Sequence, residues 1–598
     1  MKRLALYTFW EHNGFVRNYV TFYLNALKNI ADKVIVIVNG SLSDDGVRKL
    51  QEVQVDFFAR ENSGPDFSGW KAALEREGWE RVRAYDELIL CDSSCYGPVF
   101  PFTDVFDAMA ERDCDFWGLY RHPACGGHSP AYLQSYFLVI RKKLLCSQDF
   151  FQYWQSVKPA PHWDDAHSEI HFTQHFEKKG FSSQAYVENC KSAELIENVT
   201  IPLAHKILLE NRFPLIRRKS FTEDYEYFFD VGNVSQAKEL LEIIKKTSFP
   251  VEYIYEDILQ TMQASDIRKI LHHTFVLKDE DSISQDILQN KIAIIVFSYF
   301  EDLVDEDISY MQSMPQESDA FIVVISDNLK DIWEQKKNAL PNKTVCVRKQ
   351  LNRGRNESAY WLTCRDVIES YDFICVAHDK KTPSSWPPIK GYHFNRHCWK
   401  NILKSPGYVR AILALMASRP EIGMFMPPAL VFADWRNNTI NNEWAGNECL
   451  AKNIYARLNM HIPFDEHPDA PWGTMFWLRG KAMAPFYRYD WTVQDFPEEP
   501  LRAVNGTILH ALERMYPMIM QEAGYFSAWV MPSSEADIHL DNIYHLAKYY
   551  GLILNGENIK NVNSRHVKNI LKSYIIRKLN NVANKLSITK NLNFNGIW

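Results

Sequence analysis

Apolar and polar segments alternate over the first forty residues in a pattern that predicts a strand, a helix and a second strand. Residues 4–9 form a short apolar run, and residues 34–38 form another that is rich in β-branched side chains. Between them, residues 19–27 carry apolar side chains at the spacing of one helix face. This order of elements is typical of a parallel sheet, so we predict an α/β fold.

The second half of the chain repeats this pattern. Residues 292–297 and 321–325 form apolar runs, with a helical segment at 308–314 between them. Three further pairs of segments recur in the same order, namely 60–70 and 351–361, 85–92 and 371–379, and 134–141 and 473–479. Such self-similarity predicts two tandem copies of one domain.

The domain boundaries are placed where the composition changes. We assign the first α/β domain to residues 1–191 and the second to residues 287–556. Residues 192–286 combine a basic, proline-containing stretch with helical periodicity and are predicted to form a helical connector. Residues 557–598 contain eight lysines and arginines and, after Glu557, no acidic residue, which predicts a basic amphipathic tail.

Composition and charge exclude several classes of protein. With 67 basic and 74 acidic residues the formal charge is −7, so binding of nucleic acid through bulk charge is not expected. No apolar run reaches the ~18 to 20 residues of a membrane-spanning helix, and residues 1–11 are interpreted as a first strand, not as a signal peptide. Eleven cysteines without a CxxC pair favour reduced thiols, which predicts a cytoplasmic protein.

Polar residues that follow a predicted strand are candidates for ligand binding, because ligands of open α/β sheets bind at the carboxyl ends of the strands. In the first copy Asp92, Ser93 and Ser94 follow the apolar strand 87–90. A carboxylate in this place suits a divalent cation, Mg²⁺ or Mn²⁺, on the diphosphate of a nucleotide-sugar, and we assign the metal to Asp92. The same three residues also fit a simple turn at the end of a strand.

The loop before the next predicted helix adds a second carboxylate. Asn62, Gly64 and Asp66 lie in this loop, where glycine permits close approach of the backbone to a ligand. Alternatively, Gly64 fits a turn and Asp66 a helix N-cap. Because both loops lie at one sheet edge and recur in the second copy, we favour a ligand-binding role.

The second copy carries a different set of charges at the corresponding loop and strand end. Arginine and lysine at this edge suit a diphosphate or an anionic acceptor, although a solvated basic loop is an alternative. The residues concerned are Asn352, Arg353, Gly354, Arg355, His378, Lys380 and Lys381.

Transfer of a sugar with inversion requires a base that takes the proton of the acceptor hydroxyl. Glu169, His510 and Glu513 are candidates, and the last two lie three residues apart and therefore on one face of a helix. The chain has no GxxxxGK[ST], HExxH or GxSxG motif and no GxGxxG after its first strand, which excludes the commonest nucleotide-loop, metalloprotease and serine-hydrolase classes.

Several of these segments together resemble the rhamnan synthesis F family of bacterial glycosyltransferases. The similarity covers about nine-tenths of the chain and includes its middle region. Its motifs are RENSGPDFSGW (60–70), CDSSCYGP (91–98), DFWG (115–118) and QSYF (134–137) in the first half, and NRGR (352–355), HDKK (378–381), GTMFW (473–477) and HALER (510–514) in the second.

The resemblance implies two tandem GT-A-like domains, which are Rossmann-like and bind nucleotide-sugars. It implies transfer of a deoxyhexose, typically rhamnose, from a donor such as dTDP-rhamnose to a lipid-linked glycan in O-antigen or capsule-type polysaccharide synthesis. The motifs contain the aromatic residues Trp70, Tyr96, Trp117 and Trp477. The resemblance implies that these residues belong to the donor-binding set. Two positions depart from the family pattern, since Asn356 replaces an Asp and Cys91 replaces an Asn.

The resemblance also gives the tail a role. An enzyme that acts on a lipid-linked glycan works at a membrane, and a basic tail would bind the anionic inner face of the cytoplasmic membrane. A solvated terminal helix is the alternative. Other polysaccharide-assembly enzymes are candidate partners. The main rival hypothesis is a catalytically silent glycan-binding scaffold, and a sugar-phosphate transferase is a second.

Overall fold

A computed structural model gives the fold of most of the chain. It describes residues 1–11, 13–61, 66–124, 130–157, 167–188, 199–232, 236–381, 386–440, 442–501 and 505–554. The site candidates Asn62 and Gly64 and the predicted tail at 557–598 lie outside the described residues.

The first half of the chain forms a mixed sheet covered by helices. Its strands are β1 (Arg3–Phe9), β2 (Lys33–Asn39), β3 (Asp56–Arg60), β4 (Glu87–Asp92), β5 (Cys95–Tyr96), β6 (Phe116–His122), β7 (Tyr132–Leu133), β8 (Phe137–Arg141) and β9 (Ser183–Val187). Its helices are α1 (Asn18–Lys28), α2 (Asp44–Val53), α3 (Asp66–Glu77), α4 (Trp79–Val82), α5 (Phe102–Ala110), α6 (Lys142–Leu145), α7 (Gln148–Ser156) and α8 (His167–Lys178).

Strands β3, β2, β1 and β4 of this sheet lie side by side and run parallel. Strand β8 pairs antiparallel with β4, β6 pairs antiparallel with β8, and β9 runs parallel to β6. All six residues of β4 are buried, as expected for a central strand with both faces covered.

The middle region contains helices and two short strands. Its elements are α9 (Ala204–Asn211), β10 (Ile216–Arg217), α10 (Lys219–Thr222), α11 (Tyr225–Asp230), α12 (Gln236–Ile244), α13 (Glu252–Thr261), α14 (Ala264–Ile270) and β11 (Thr274–Leu277). Strand β10 pairs with β5 of the first half, and β11 pairs with a strand of the second sheet. The connector is therefore not purely helical, because it contributes one strand to each side.

The second half forms another mixed sheet. Its strands are β12 (Ile292–Phe297), β13 (Asp319–Val324), β14 (Thr344–Lys349), β15 (Phe373–His378), β16 (Ile422–Met426), β17 (Phe476–Arg479) and β18 (Phe526–Pro532). Its helices are α15 (Gln285–Leu288), α16 (Val304–Met311), α17 (Asp327–Lys336), α18 (Arg355–Ser358), α19 (Arg365–Ser370), α20 (Ile389–Leu403), α21 (Pro406–Ser418), α22 (Arg436–Ile440), α23 (Glu448–Arg457), α24 (Ile508–Glu522) and α25 (Ser533–Leu554).

The two sheets have the same order and orientation of strands. The first reads β3-β2-β1-β4-β8-β6-β9, with the two-residue strand β7 also paired to β6, and the second reads β14-β13-β12-β15-β17-β16-β18 with β11 added at its edge. In both, the fifth strand is antiparallel to the first four, and the sixth and seventh return to the original direction. The prediction of an α/β fold is confirmed, and the sheets match each other strand by strand.

The connector is held on both sides by buried contacts. Asp257 of α13 is fully buried and accepts hydrogen bonds from Tyr96 Oη of the first half and from Arg218 Nε at 2.8 Å. On the other side, Gln521 Nε2 of α24 donates to the carbonyl oxygens of Leu259 and Met262. Among the helices within the described ranges, none has both the length and the apolar character needed to span a membrane.

Candidate active site

The last residues of β1 and β4 bring two predicted carboxylates together. Thr8 and Asp92 are paired in register at the ends of these parallel strands. Asp66 opens α3, and its Oδ1 accepts a hydrogen bond of 2.5 Å from Thr8 Oγ1. Helix α3 can lie this close to β1 because Gly69 faces Thr8, where a Cβ atom would come within 2.8 Å of the Thr8 methyl carbon.

The electrostatics of this edge confirm that the carboxylates are close. Burial, and then the charge of Asp92, raise the pKa of Asp66 to about 7, while the Thr8 hydrogen bond acts in the opposite direction. The charge of Glu169 also raises the pKa of Asp66. We call Thr8, Asp66, Asp92 and Glu169 the first rim.

The Asp92-Ser93-Ser94 segment forms the turn that was one of its two interpretations. Ser94 donates its backbone N–H to Asp92 Oδ1 at 2.8 Å, which is the expected strand-ending turn. Ser93 is fixed through its backbone, since its N–H donates to Thr8 O at 3.0 Å and its carbonyl accepts from Tyr19 Oη at 3.1 Å. The turn therefore fixes the position of the Asp92 carboxylate at the rim.

Glu169 is fixed near this rim by a contact with Ser135. It lies in the first turn of α8, and its Oε1 accepts a hydrogen bond of 2.5 Å from Ser135 Oγ, which precedes β8. On the same helix, His171 and His175 pack against the ring of Tyr153. Within the described residues, no cluster of three or more His, Cys, Asp or Glu is arranged to hold a metal.

Arg217 is a residue of this edge that the sequence analysis missed. It lies in β10 of the connector, and its partner in β5 is Cys95, three residues after Asp92. Its guanidinium carbon lies 4.8 Å from the ring centroid of Tyr136, and the charges of Asp92 and Glu169 act on it. The only signal for it in the sequence was the basic character of the connector.

The aromatic residues of the expected donor-binding set are fully buried. Trp70, Trp117, Trp477 and Tyr96 each have an exposed fraction of 0%. Trp70 Nε1 donates to Cys91 O at 3.2 Å, and Trp477 Nε1 donates to Ile402 O at 3.0 Å. Their rings therefore pack behind the strand ends and stabilise them from within the core.

The corresponding edge of the second sheet carries His378 where the first carries Asp92. His378 ends β15 and pairs in register with Phe297 of β12. Its ring is buried between two carbonyl oxygens, those of Asp379 at Nδ1 and Gly473 at Nε2, each at 2.7 Å. Burial, and then the charge of Lys380, lower the pKa of His378 to about 4. The two carbonyl contacts act in the opposite direction and raise this pKa, because a neutral ring can donate to only one of the two oxygens.

His510 and Glu513 come together at the start of α24. Burial is the main cause that lowers the pKa of His510, and the charges of Lys380 and Arg355 lower it further, whereas the charge of Glu513 opposes them. Glu513 Oε1 accepts the backbone N–H of Gly473 at 2.7 Å. We call His378, Lys380, Arg355, His510 and Glu513 the second rim.

Most of the predicted basic residues of the second copy already have protein partners. Arg353 donates to the carbonyl oxygens of Val493 and Phe496, at 2.8 and 2.5 Å. Arg355 pairs with Glu499, and Lys381 Nζ lies 2.5 Å from Asp302 Oδ2. The exposed Asn352 bonds this segment through its backbone, accepting from Glu499 N at 3.3 Å.

Lys380 differs from these residues. It makes no ion pair with any residue that the structure describes, and its ammonium lies 4.4 Å from the ring centroid of Phe394.

Gly354 allows the loop before α18 to pack closely, since its φ is +76° and a Cβ atom there would lie 2.7 Å from Phe496 Cβ.

A family comparison decides where this chain belongs. The family model described as rhamnan synthesis protein F matches residues 34–525, which include the connector, the second rim and every residue of the first rim except Thr8. The chain belongs to the rhamnan synthesis protein F family. No curated protein matches the chain.

The solved structures that resemble this chain include several glycosyltransferases. The apo form of glycosyltransferase GlyE from Streptococcus pneumoniae TIGR4 is 14% identical, with 66% of this chain and 90% of that chain covered and a TM-score of 0.22. Mannosyltransferase PcManGT from Pyrobaculum calidifontis, in complex with GDP-Man and Mn²⁺, is 12% identical, with 50% and 64% covered and a TM-score of 0.24.

Glucosyl-3-phosphoglycerate synthase from Mycobacterium tuberculosis is 14% identical, with a TM-score of 0.18. The match covers 24% of this chain and spans 58% of the length of that synthase. All three TM-scores lie below 0.5.

Proposed function

We propose that this chain is a glycosyltransferase of polysaccharide synthesis with its active centre at the first rim. The donor is a nucleotide-activated deoxyhexose of the dTDP-rhamnose type, and the acceptor is a lipid-linked glycan of the O-antigen or capsule type. Family membership supports the polysaccharide role. The observation that carries the site is the convergence of Asp66 and Asp92 at the ends of β1 and β4, where the charge of Asp92 raises the pKa of Asp66.

The residues of the first rim fit a divalent cation. Asp66, Asp92 and the hydroxyls of Ser93 and Ser94 are hard oxygen donors, which Mg²⁺ and Mn²⁺ prefer. Mg²⁺ is commonly bound by one or two carboxylates together with phosphate oxygens of the substrate, so two carboxylates suffice. A bound cation would stabilise the negative charge of the departing nucleoside diphosphate.

Glu169 is the base that this geometry favours. Its charge acts on Asp66, as that of Asp92 does, and Ser135 Oγ holds one of its oxygens at 2.5 Å. In the proposed reaction the acceptor hydroxyl oxygen forms a bond to the anomeric carbon, and its proton passes to Glu169. The bond from that carbon to the diphosphate breaks, and its electron pair stays on the diphosphate oxygen.

The second rim suits binding better than the same chemistry. At the positions of Asp66 and Asp92 it has Asn356 and His378, so neither of these two positions offers a carboxylate to a cation. We propose that the two sheets are tandem GT-A-like domains and that the second binds an anionic part of the acceptor at Lys380 and His510. This favours, for the second domain alone, the scaffold role considered from the sequence.

The proposed location is the cytoplasm, at the inner face of the cytoplasmic membrane. This rests on the sequence of the tail at 557–598, which has basic residues and no acidic residue after Glu557. Other enzymes of polysaccharide assembly are proposed partners there, and nucleic acid is not.

Release of nucleoside diphosphate from nucleotide-sugars, with Mg²⁺ or Mn²⁺, tests the proposal. Asp92→Asn keeps the acceptor for Ser94 N–H but removes the charge, so we expect turnover to fall by about 100-fold or more. The matched control is Asp104→Asn, which only breaks an exposed pair with Arg212. Full activity of the Asp92 variant would refute the site, absence of release with every donor would favour a scaffold, and release of nucleoside monophosphate would indicate a sugar-phosphate transferase.

A further inference from the structure

Two adjacent arginines of the connector have opposite surroundings. Arg218 forms a two-pronged ion pair with the buried Asp257, with its Nε and Nη2 at 2.8 and 2.9 Å from the two carboxylate oxygens. Arg217 makes no ion pair with any residue that the structure describes. Arg218 therefore has a structural role, whereas no acidic residue that the structure describes contacts the charge of Arg217.

The position of Arg217 makes this lack of a partner costly. The side chain is partly buried, and its Nε is buried without a hydrogen-bond partner. A buried charge without a partner is unfavourable, so a partner from outside the chain would stabilise this arrangement.

The guanidinium is fixed at the edge where the diphosphate is proposed to bind. Its backbone is tied to β5 through the pairing of Arg217 with Cys95, and its charged end rests on the ring of Tyr136 at 4.8 Å. Burial lowers the pKa of Arg217, but the thiol of Cys95 and the carboxylate of Asp92 raise it by more, so the group stays charged. The carboxylates of the first rim thus attract Arg217 without contacting it.

We propose that Arg217 binds the diphosphate of the nucleotide-sugar donor at the first rim, so that the connector completes this site. The inference rests on the proposed function and adds a residue to it. A planar guanidinium matches phosphate oxygens in a two-pronged geometry, which an ammonium cannot reproduce. Arg217 and the cation held by Asp92 would then contact the diphosphate from two sides.

Binding of dTDP to the full chain in the presence of Mg²⁺, measured by calorimetry, tests this inference. We expect Arg217→Gln to raise the dissociation constant at least tenfold, and Arg217→Lys to raise it by less than the glutamine variant. The matched control is Arg212→Gln, an exposed arginine of the same region that pairs only with Asp104 and is expected to leave the constant unchanged. The lysine variant keeps the charge and so guards against a simple loss of folding in the glutamine variant.

The outcomes separate this inference from the proposed function. If the wild type binds dTDP and turns over donor while both Arg217 variants bind dTDP as the wild type does, the inference is overturned and the function stands. If the wild type binds no nucleoside diphosphate among dTDP, UDP and GDP and releases none from any donor, the proposed function fails and takes the inference with it. A tenfold loss of dTDP affinity in Arg217→Gln, with no loss in Arg212→Gln, supports both the inference and the proposed function.

Discussion

Replacing Thr8 by valine isolates the hydrogen bond that holds Asp66 at the first rim. Thr8 is 1% exposed, and valine has the same shape, so the change removes the Oγ1 donor and leaves the packing against Gly69. The lost bond is 2.5 Å long and ends on Asp66 Oδ1. Because this bond lowers the pKa of Asp66, its loss should raise that pKa.

The size of the shift follows from the energy of the bond. A hydrogen bond to a charged group contributes about 1.5 to 3 kcal/mol, and part of it survives when the acceptor is protonated. At 1.36 kcal/mol per pKa unit, the lower end of that range corresponds to a shift of about one unit. The pKa of Asp66, about 7 in the wild type, should therefore become ~8 in the variant.

The shift in the pKa of Asp66 can be measured from the pH dependence of nucleoside diphosphate release. Asp66 is protonated below its pKa and binds a cation only above it, so activity should rise with pH through about 7 in the wild type and about one unit higher in Thr8→Val. Thr261→Val is the control, since Thr261 Oγ1 donates only to a carbonyl of its own helix, that of Asp257. Superimposed profiles of wild type and Thr8→Val would refute the assignment of Asp66 to the active centre.

Two further predictions concern the second domain. Burial raises the pKa of Glu357 to about 8, so the carboxyl keeps its proton in the folded state, and stability should fall by ~1.4 kcal/mol per pH unit as the pH rises from about 4.5 to about 8. Glu357→Gln should remove this pH dependence, which melting temperatures measured between pH 4.5 and 8 would show. An unchanged pH dependence would show that Glu357 is not its cause. Gly354→Ala should lower the melting temperature more than Gly446→Ala, because both glycines have a positive φ but only Gly354 lacks room for a Cβ atom. Equal losses in the two variants would show that backbone strain alone matters.

The similar order of strands in the two sheets could be predicted from the sequence because each half of the chain repeats the same local signals. An apolar strand followed at once by polar residues appears in β4 and again in β15, and both strands are fully buried. Strands of this kind occupy the centre of a sheet, and the polar residues that follow them lie at one edge. Local pattern therefore located Asp66, Asp92 and His378 at the rims.

The remaining features depend on contacts between distant parts of the chain. Arg217 reaches the first rim through a two-residue strand that pairs with β5, more than one hundred positions earlier. Arg353 and Arg355 are occupied by the segment around Glu498 and Glu499, which follows them by about 145 residues. No periodicity encodes such pairings, so a basic loop in the sequence did not reveal which of its charges remain available.

The two rims suggest how a duplicated fold can divide the work of one transfer reaction. The last paired position of the central strands is Asp92 in one sheet and His378 in the other, on the same backbone frame. A carboxylate there can hold a cation that in turn binds a diphosphate, whereas a buried histidine with both ring nitrogens against carbonyl oxygens has no free ligand atom for a cation. If each copy bound a donor, the same metal-binding residues would be required twice. The structure instead pairs one acidic rim with one rim whose Lys380 has no ionic partner among the described residues, and that complementarity fits a donor on one side and an anionic acceptor on the other.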